Sequence, residues 1–211
     1  RLEQMQEEGR QQFGQCLAVH GNFVNIPDFV AEQNVGAVDG IILDLEDSVP
    51  PAEKDAARIL VRNALVGLDW GVSERMVRVN QSSVGEEDLA AVASHNPHVV
   101  LLPKVEQPSS VGRAAEVLRS FAGVDAAFLM PILESPGGIH RAYDIAAADP
   151  SVVALTLGLE DLSAELAAPR TVEGSESFLA RQTTVYQPST LSYTIVSTAI
   201  SCSVSTPPAW S

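Results

Sequence analysis

Five apolar runs, each closing on polar residues, constrain this chain more than any other feature. Residues 40–45 close on Glu46 and Asp47, 76–79 carry Arg78 and meet Asn80, and 99–103 close on Lys104. Residues 126–133 then close on Glu134, and 152–159 on Glu160 and Asp161. The polar ends at 46, 80, 104, 134 and 160 lie 24 to 34 residues apart, enough for one strand and one helix per unit. Apolar strands that alternate with helices and carry polar groups at their C-terminal ends describe a βα barrel with its site on one face. The expected fold class is therefore α/β, a TIM (β/α)8-type barrel.

The intervening segments carry the matching helix signals. A first strand is expected near 15–19, a helix at 26–33, and a helix opening at Pro50-Pro51 with Glu53 in its first turn. Further helices are expected at 86–94, 110–121 (ended by Gly123), 139–147, 162–166 and 175–184, with Pro136-Gly137-Gly138 as a turn. Residues 1–13 form a charged, Gln-rich lead-in expected to be mobile, and 14–185 form the partial barrel domain. From 182 to 211 there is no charged residue, and 13 of those 30 positions are Ser or Thr. Outer barrel helices need Lys, Arg, Glu and Asp, so 186–211 is set apart as an atypical tail. Only six βα units are legible, and the barrel is expected to be incomplete. Alternating Leu191, Tyr193 and Ile195 allow no more than an improvised strand there.

Charge and hydropathy exclude several partners. A net charge of −14 argues against nucleic acid and anionic membranes, which are themselves polyanions. No apolar run approaches the ~18 residues that cross a bilayer. Cys16 and Cys202 have no metal-type spacing and read as free thiols in a reducing compartment. The expected location is the cytoplasm, or the mitochondrial matrix if a targeting segment is missing from a chain that begins with Arg.

The strand ends hold the chemistry. On β backbone Asp44 and Glu46 share one face, while Leu43 and Leu45 pack on the other. Asp47 fits either that acidic cluster or a capping turn before Pro50. Neighbouring parallel strands lie about 4.8 Å apart, so Glu134 and Asp161 at one height can share a cation. Hard oxygen ligands without nearby His or Cys suit Mg²⁺; alternatively, Asp161 caps the helix that follows. Arg78 is placed to clamp a carboxylate, or to pair internally with Glu46 or Asp44. Lys104 and Glu106 flank the end of the fourth strand, where an internal pair is the more modest reading. Gly137, Gly138 and Gly158 would let backbone approach a ligand, though a turn alone explains glycine. The four histidines have no metal or triad spacing, and no nucleophile elbow is present.

The segments IILDLEDSVPPAEKDAAR, VRVN, LLPKVE, ILESPGGI and LGLEDL, in that order over roughly residues 14–185, resemble the HpcH/HpaI aldolase and citrate lyase family. They are most similar to its citrate lyase β-subunit-like branch, which includes malyl-CoA and citramalyl-CoA lyases. The aldolase branch carries a His where this chain has Asp47. The resemblance implies a homo-oligomeric, cytoplasmic lyase that makes or breaks a carbon–carbon bond beside a carboxylated carbonyl. Glu134 and Asp161 would be the Mg²⁺ ligands, with Arg78 and Glu134 contacting substrate. Arg78, Glu46 and Asp47 would form the catalytic set, the two acids holding metal-bound waters. The partners implied are an acyl-CoA or acyl-carrier thioester and an oxo acid. Two other readings are an aldolase acting on free hydroxy-oxo acids and a non-catalytic subunit that binds acyl thioesters. The branch ends its first strand in Pro-Gly-Asn, where this chain has His20-Gly21-Asn22. It also supplies an acidic residue from its C-terminal segment, where residues 182–211 have none.

Overall fold

The computed structural model describes residues 16–19, 39–123, 126–186 and 194–196, the first and last of these as backbone strands. The lead-in, His20 and the helix expected at 26–33 lie outside the described residues. Seven strands form one parallel sheet in chain order: β1 Cys16–Val19, β2 Gly40–Asp44, β3 Glu74–Arg78, β4 Val99–Leu102, β5 Phe128–Leu133, β6 Ala154–Leu157 and β7 Thr194–Val196. This is the TIM-barrel-like α/β fold expected, with the barrel incomplete. Among the described residues, β1 pairs only with β2 and β7 only with β6. The seventh strand lies in the segment set apart as a tail, and its Ile195 pairs with Leu155.

Strands β2 to β6 carry buried residues on both faces. Ile41, Leu43, Val77, Val100, Leu102 and Leu129 join the larger core beneath the helices. Ile42, Met76, Val99, Leu101, Met130, Ile132 and Ala154 form a smaller cluster on the opposite, inner face. Period-two alternation assigns the next residues without further information: Asp44 follows Ile42 inward, Arg78 follows Met76, and Glu134 follows Ile132.

Helices cover the outer face: α1 Lys54–Gly67, α2 Ser82–Val92, α3 Pro108–Ala122, α4 Pro136–His140, α5 Ala142–Ala146, α6 Leu159–Glu165 and α7 Phe178–Tyr186. In α1 the buried stripe is Ala57, Val61, Ala64 and Leu65, and in α3 it is Val111, Ala114, Ala115 and Leu118. Boundaries differ from expectation at three places that bear on the site. The first is α6, which starts at Leu159 rather than 162, so that Asp161 lies within its first turn and does not cap it. β3 stops at Arg78 and α2 starts at Ser82, because Asn80 turns its amide from the ladder to Asp88 Oδ2 (2.8 Å). The segment expected as one helix at 139–147 is two. Pro136-Gly137-Gly138 forms the first turn of α4, capped when Gly138 N donates to Ser135 Oγ (3.1 Å). No helix among the described residues is long and apolar enough to cross a membrane.

Candidate functional site at the strand ends

Register brings the polar ends to one level. Asp44 pairs with Arg78 and Arg78 with Leu101, while Leu133 pairs with Leu157, which sets Glu134 beside Gly158. The C-terminal face of the sheet therefore gathers Asp44, Glu46, Asp47, Arg78, Lys104, Glu134 and Asp161.

Arg78 is the hub of one half. Its Nε donates to Asp44 Oδ1 (2.7 Å) and its Nη2 to Asp44 Oδ2 (2.6 Å), a two-point clamp on a fully buried carboxylate. Nη1 lies 3.1 Å from Glu46 Oε2 and 3.4 Å from Asp47 Oδ2. Burial alone would raise the Asp44 carboxyl, but Arg78, the Glu46 amide and Ser48 outweigh it and hold it below the ordinary value. Glu46 goes the other way: burial and the neighbouring Asp47 charge raise it, against the pull of Arg78. Of the two roles open to Arg78 in the sequence, the internal ion pair is present.

Glu134 and Asp161 make the other half. Asp161 acts electrostatically on Glu134, and Lys104 Nζ stands 3.2 Å from Asp161 Oδ2. Glu134 is 6% exposed, and its Oε2 has no hydrogen-bond partner among the described residues. Burial, then the charges of Glu46 and Asp161, push its carboxyl up to about 8. Gly158 makes this placement possible, since a Cβ there would lie 2.3 Å from Glu134 Cγ. Gly138 likewise admits the Val105 carbonyl, 2.5 Å from where its Cβ would be. Both glycines serve close approach of the protein to itself.

Lys104 does make an internal pair, but its partner is Asp161 and not Glu106. Lys104 has a φ of 50°, and this left-handed turn after Pro103 swings its side chain from the helix side toward Asp161. Glu106 instead accepts from Ser135 Oγ (2.5 Å), bracing the cap of α4.

A supporting network escaped the sequence reading. Asp88, fully buried on α2, accepts from Arg58 Nε (2.5 Å) and from Asn80 Nδ2 (2.6 Å). Asn80 Nδ2 also donates to the Leu45 carbonyl (2.8 Å), and Lys54 Nζ donates to the Leu45 and Glu46 carbonyls (2.7 and 2.6 Å). These bonds fix the loop that carries Glu46 and Asp47. The available signal was a carboxylate on the apolar side of a helix, with Gly85, Leu89 and Val92. A cleft of about 640 Å³ opens beside this loop, bordered by Glu46, Asp47, Lys54, Gln81 and Lys104.

No group of three or more His, Cys, Asp or Glu is arranged to hold a metal among the described residues. Mg²⁺ asks for less: one or two carboxylates, with water and substrate completing its octahedron. The donor set fits, because the buried Glu134 Oε2 lacks a donor among the described residues and the charge of the neighbouring Asp161 acts on the same carboxyl.

Comparison with known proteins agrees with this architecture. The model of a family described as HpcH/HpaI aldolase/citrate lyase matches residues 24–200. The citrate lyase subunit beta of Leuconostoc mesenteroides subsp. cremoris is 32% identical over 164 residues, covering 74% of this chain and 54% of that protein. A (3S)-malyl-CoA thioesterase of Cereibacter sphaeroides is 36% identical over 132 residues, covering 62% of this chain and 44% of that protein. The chain spans about half the length of the curated relatives it matches. Among solved structures, the citrate lyase beta subunit from M. tuberculosis, complexed with oxaloacetate and magnesium, aligns with a TM-score of 0.67 at 28% identity. That alignment covers 85% of this chain and 75% of the other. With a lyase-type family model matched over most of its length, the chain belongs to the HpcH/HpaI aldolase/citrate lyase family.

Proposed function

We propose that residues 14–185, together with β7, form the lyase domain of a Mg²⁺-dependent carbon–carbon lyase working as a homo-oligomer. Its substrate would be a 3-hydroxyacyl thioester such as citryl-, malyl- or citramalyl-CoA, or the carrier-protein equivalent. The products would be an oxo acid and an acetyl thioester. The observation that carries this reading is that Glu134, just past β5, and Asp161, in the first turn of α6, come together on the C-terminal face that also holds the Arg78 guanidinium.

Glu134 and Asp161 would hold the metal. Bound there, Mg²⁺ supplies Lewis acidity and a template for the substrate's carboxylate and adjacent oxygen. Arg78 stays anchored through Nε and Nη2 on Asp44, so that Nη1 faces the site and can take the oxo-acid carboxylate. Glu46 and Asp47, beside that same nitrogen, accept from waters and keep them oriented. In the cleavage direction the hydroxyl gives up its proton and becomes the carbonyl of the oxo acid. The electron pair of the broken carbon–carbon bond passes to the thioester enolate, which then takes a proton.

Release of acetyl-CoA from malyl-, citramalyl- and citryl-CoA, followed with and without Mg²⁺, tests the proposal. Turnover is expected only with the metal and is expected to vanish in Glu134→Gln. Turnover that survives complete chelation would overturn it. Release of free CoA in the same assay would point to thioester hydrolysis, the activity named for the Cereibacter relative.

A further inference from the structure

Three observations single out Lys104. Strand alternation from Val100 and Leu102 would carry its side chain toward the helices. The φ of 50° at Lys104 reverses that direction, in a backbone region that costs most residues about 1 kcal/mol or more. The chain then rejoins the sheet at once, with Val105 N donating to the Ile132 carbonyl (3.1 Å). An excursion this local re-aims one side chain and changes little else.

What the re-aimed ammonium meets is Asp161 Oδ2, 3.2 Å away, with the charges of Glu46 and Asp47 also acting on it. Both partners are open to solvent, the side chains being 41% and 49% exposed. An ion pair so exposed is weak and readily exchanged. Arg78, by contrast, is committed on two sides to Asp44. Lys104 is thus a labile cation among the described residues of the face.

We infer that Lys104 is a resident counter-ion at Asp161, displaced by the divalent cation and freed to receive the anionic end of the substrate. This rests on the Mg²⁺ reading of Glu134 and Asp161. The pairing compensates the Asp161 charge beside Glu134 in the metal-free protein, and it favours a dication over monovalent competitors. Displacement sends the ammonium toward the cleft it shares with Glu46 and Asp47, where a carboxylate or thioester oxygen would replace Asp161. Binding is then ordered, metal before substrate. Lys104 acts as a positioning residue, without passing a proton.

The test is amine-selective acetylation of the whole chain, read at Lys104 by peptide mass spectrometry, alongside calorimetric Mg²⁺ titration. Labelling of Lys104 should rise when Mg²⁺ is added and fall again when oxaloacetate follows. Lys104→Met should bind Mg²⁺ about two- to fivefold more tightly, the worth of an exposed ion pair, while Lys104→Arg should not. Mg²⁺ binding with unchanged Lys104 labelling, or Lys104→Met binding no more tightly than wild type, would overturn the inference and leave the metal site standing. Absence of Mg²⁺ binding to the wild type would remove both.

Discussion

Gly158 and Glu134 show how a single atom sets the site. A methyl group at 158 would overlap the Glu134 side chain, so Gly158→Ala must push that carboxylate away. Mg²⁺ binding should weaken about 10- to 100-fold, as when a ligand loses its support, and calorimetric titration reads the loss. The Glu134 carboxyl also makes the metal-free protein sensitive to pH. It titrates near 4.5 when unfolded and at about 8 when folded, so the folded state holds more protons between those values. Stability without metal should therefore fall as pH rises through that window. The rise in Tm produced by Mg²⁺ should grow over the same interval, because the ion takes only the carboxylate. A Mg²⁺-induced shift equal at pH 5 and pH 8 would contradict this. The carboxylates themselves were legible in the sequence from their places at strand ends. The direction of Lys104 was not, because alternation cannot foresee a left-handed residue.

At the scale of elements, the β3–α2 connection does more than link strand to helix. Asp88 ties α1 through Arg58 to the turn through Asn80, and Asn80 holds the carbonyl next to Glu46. Asp88→Ala would leave the partly buried Asn80 backbone amide and the Arg58 Nε without their acceptor, although Arg58 keeps Asp55 and Glu87. It should cost about 1–3 kcal/mol in denaturant unfolding. Gly85→Ala should destabilise by about 1–3 kcal/mol, since a Cβ there would lie 2.1 Å from the Asn80 carbonyl oxygen. Strand and helix order was readable because each strand is a short apolar run and each helix carries its own start signal. Boundaries slipped where side chains competed for backbone groups. Asn80 left the ladder for Asp88, and Ser135 converted an expected turn into the start of α4.

For the whole molecule, the inner face supplies the argument. Ile42, Met76, Leu101, Met130 and Ile132 stack below the polar ends and keep water from the floor of the site. Central strands β3, β4 and β5 have a partner on each side, whereas β1 and β7 have one among the described residues. Amide hydrogen exchange should therefore be slowest in β3–β5 and fastest in β1 and β7; uniform protection across the sheet would contradict the order. Composition separated 186–211 from the barrel, yet β7 lies within it. A strand needs only a few apolar residues and a free edge, and an absence of charge does not forbid that. The claim on which the rest depends is that Glu134 helps to hold a divalent ion at these strand ends. Its most direct test is a Mg²⁺ titration of wild type and Glu134→Gln at pH 8, followed by calorimetry. Saturable binding that weakens at least about tenfold in the variant is predicted, and equal affinity in the two proteins would contradict it.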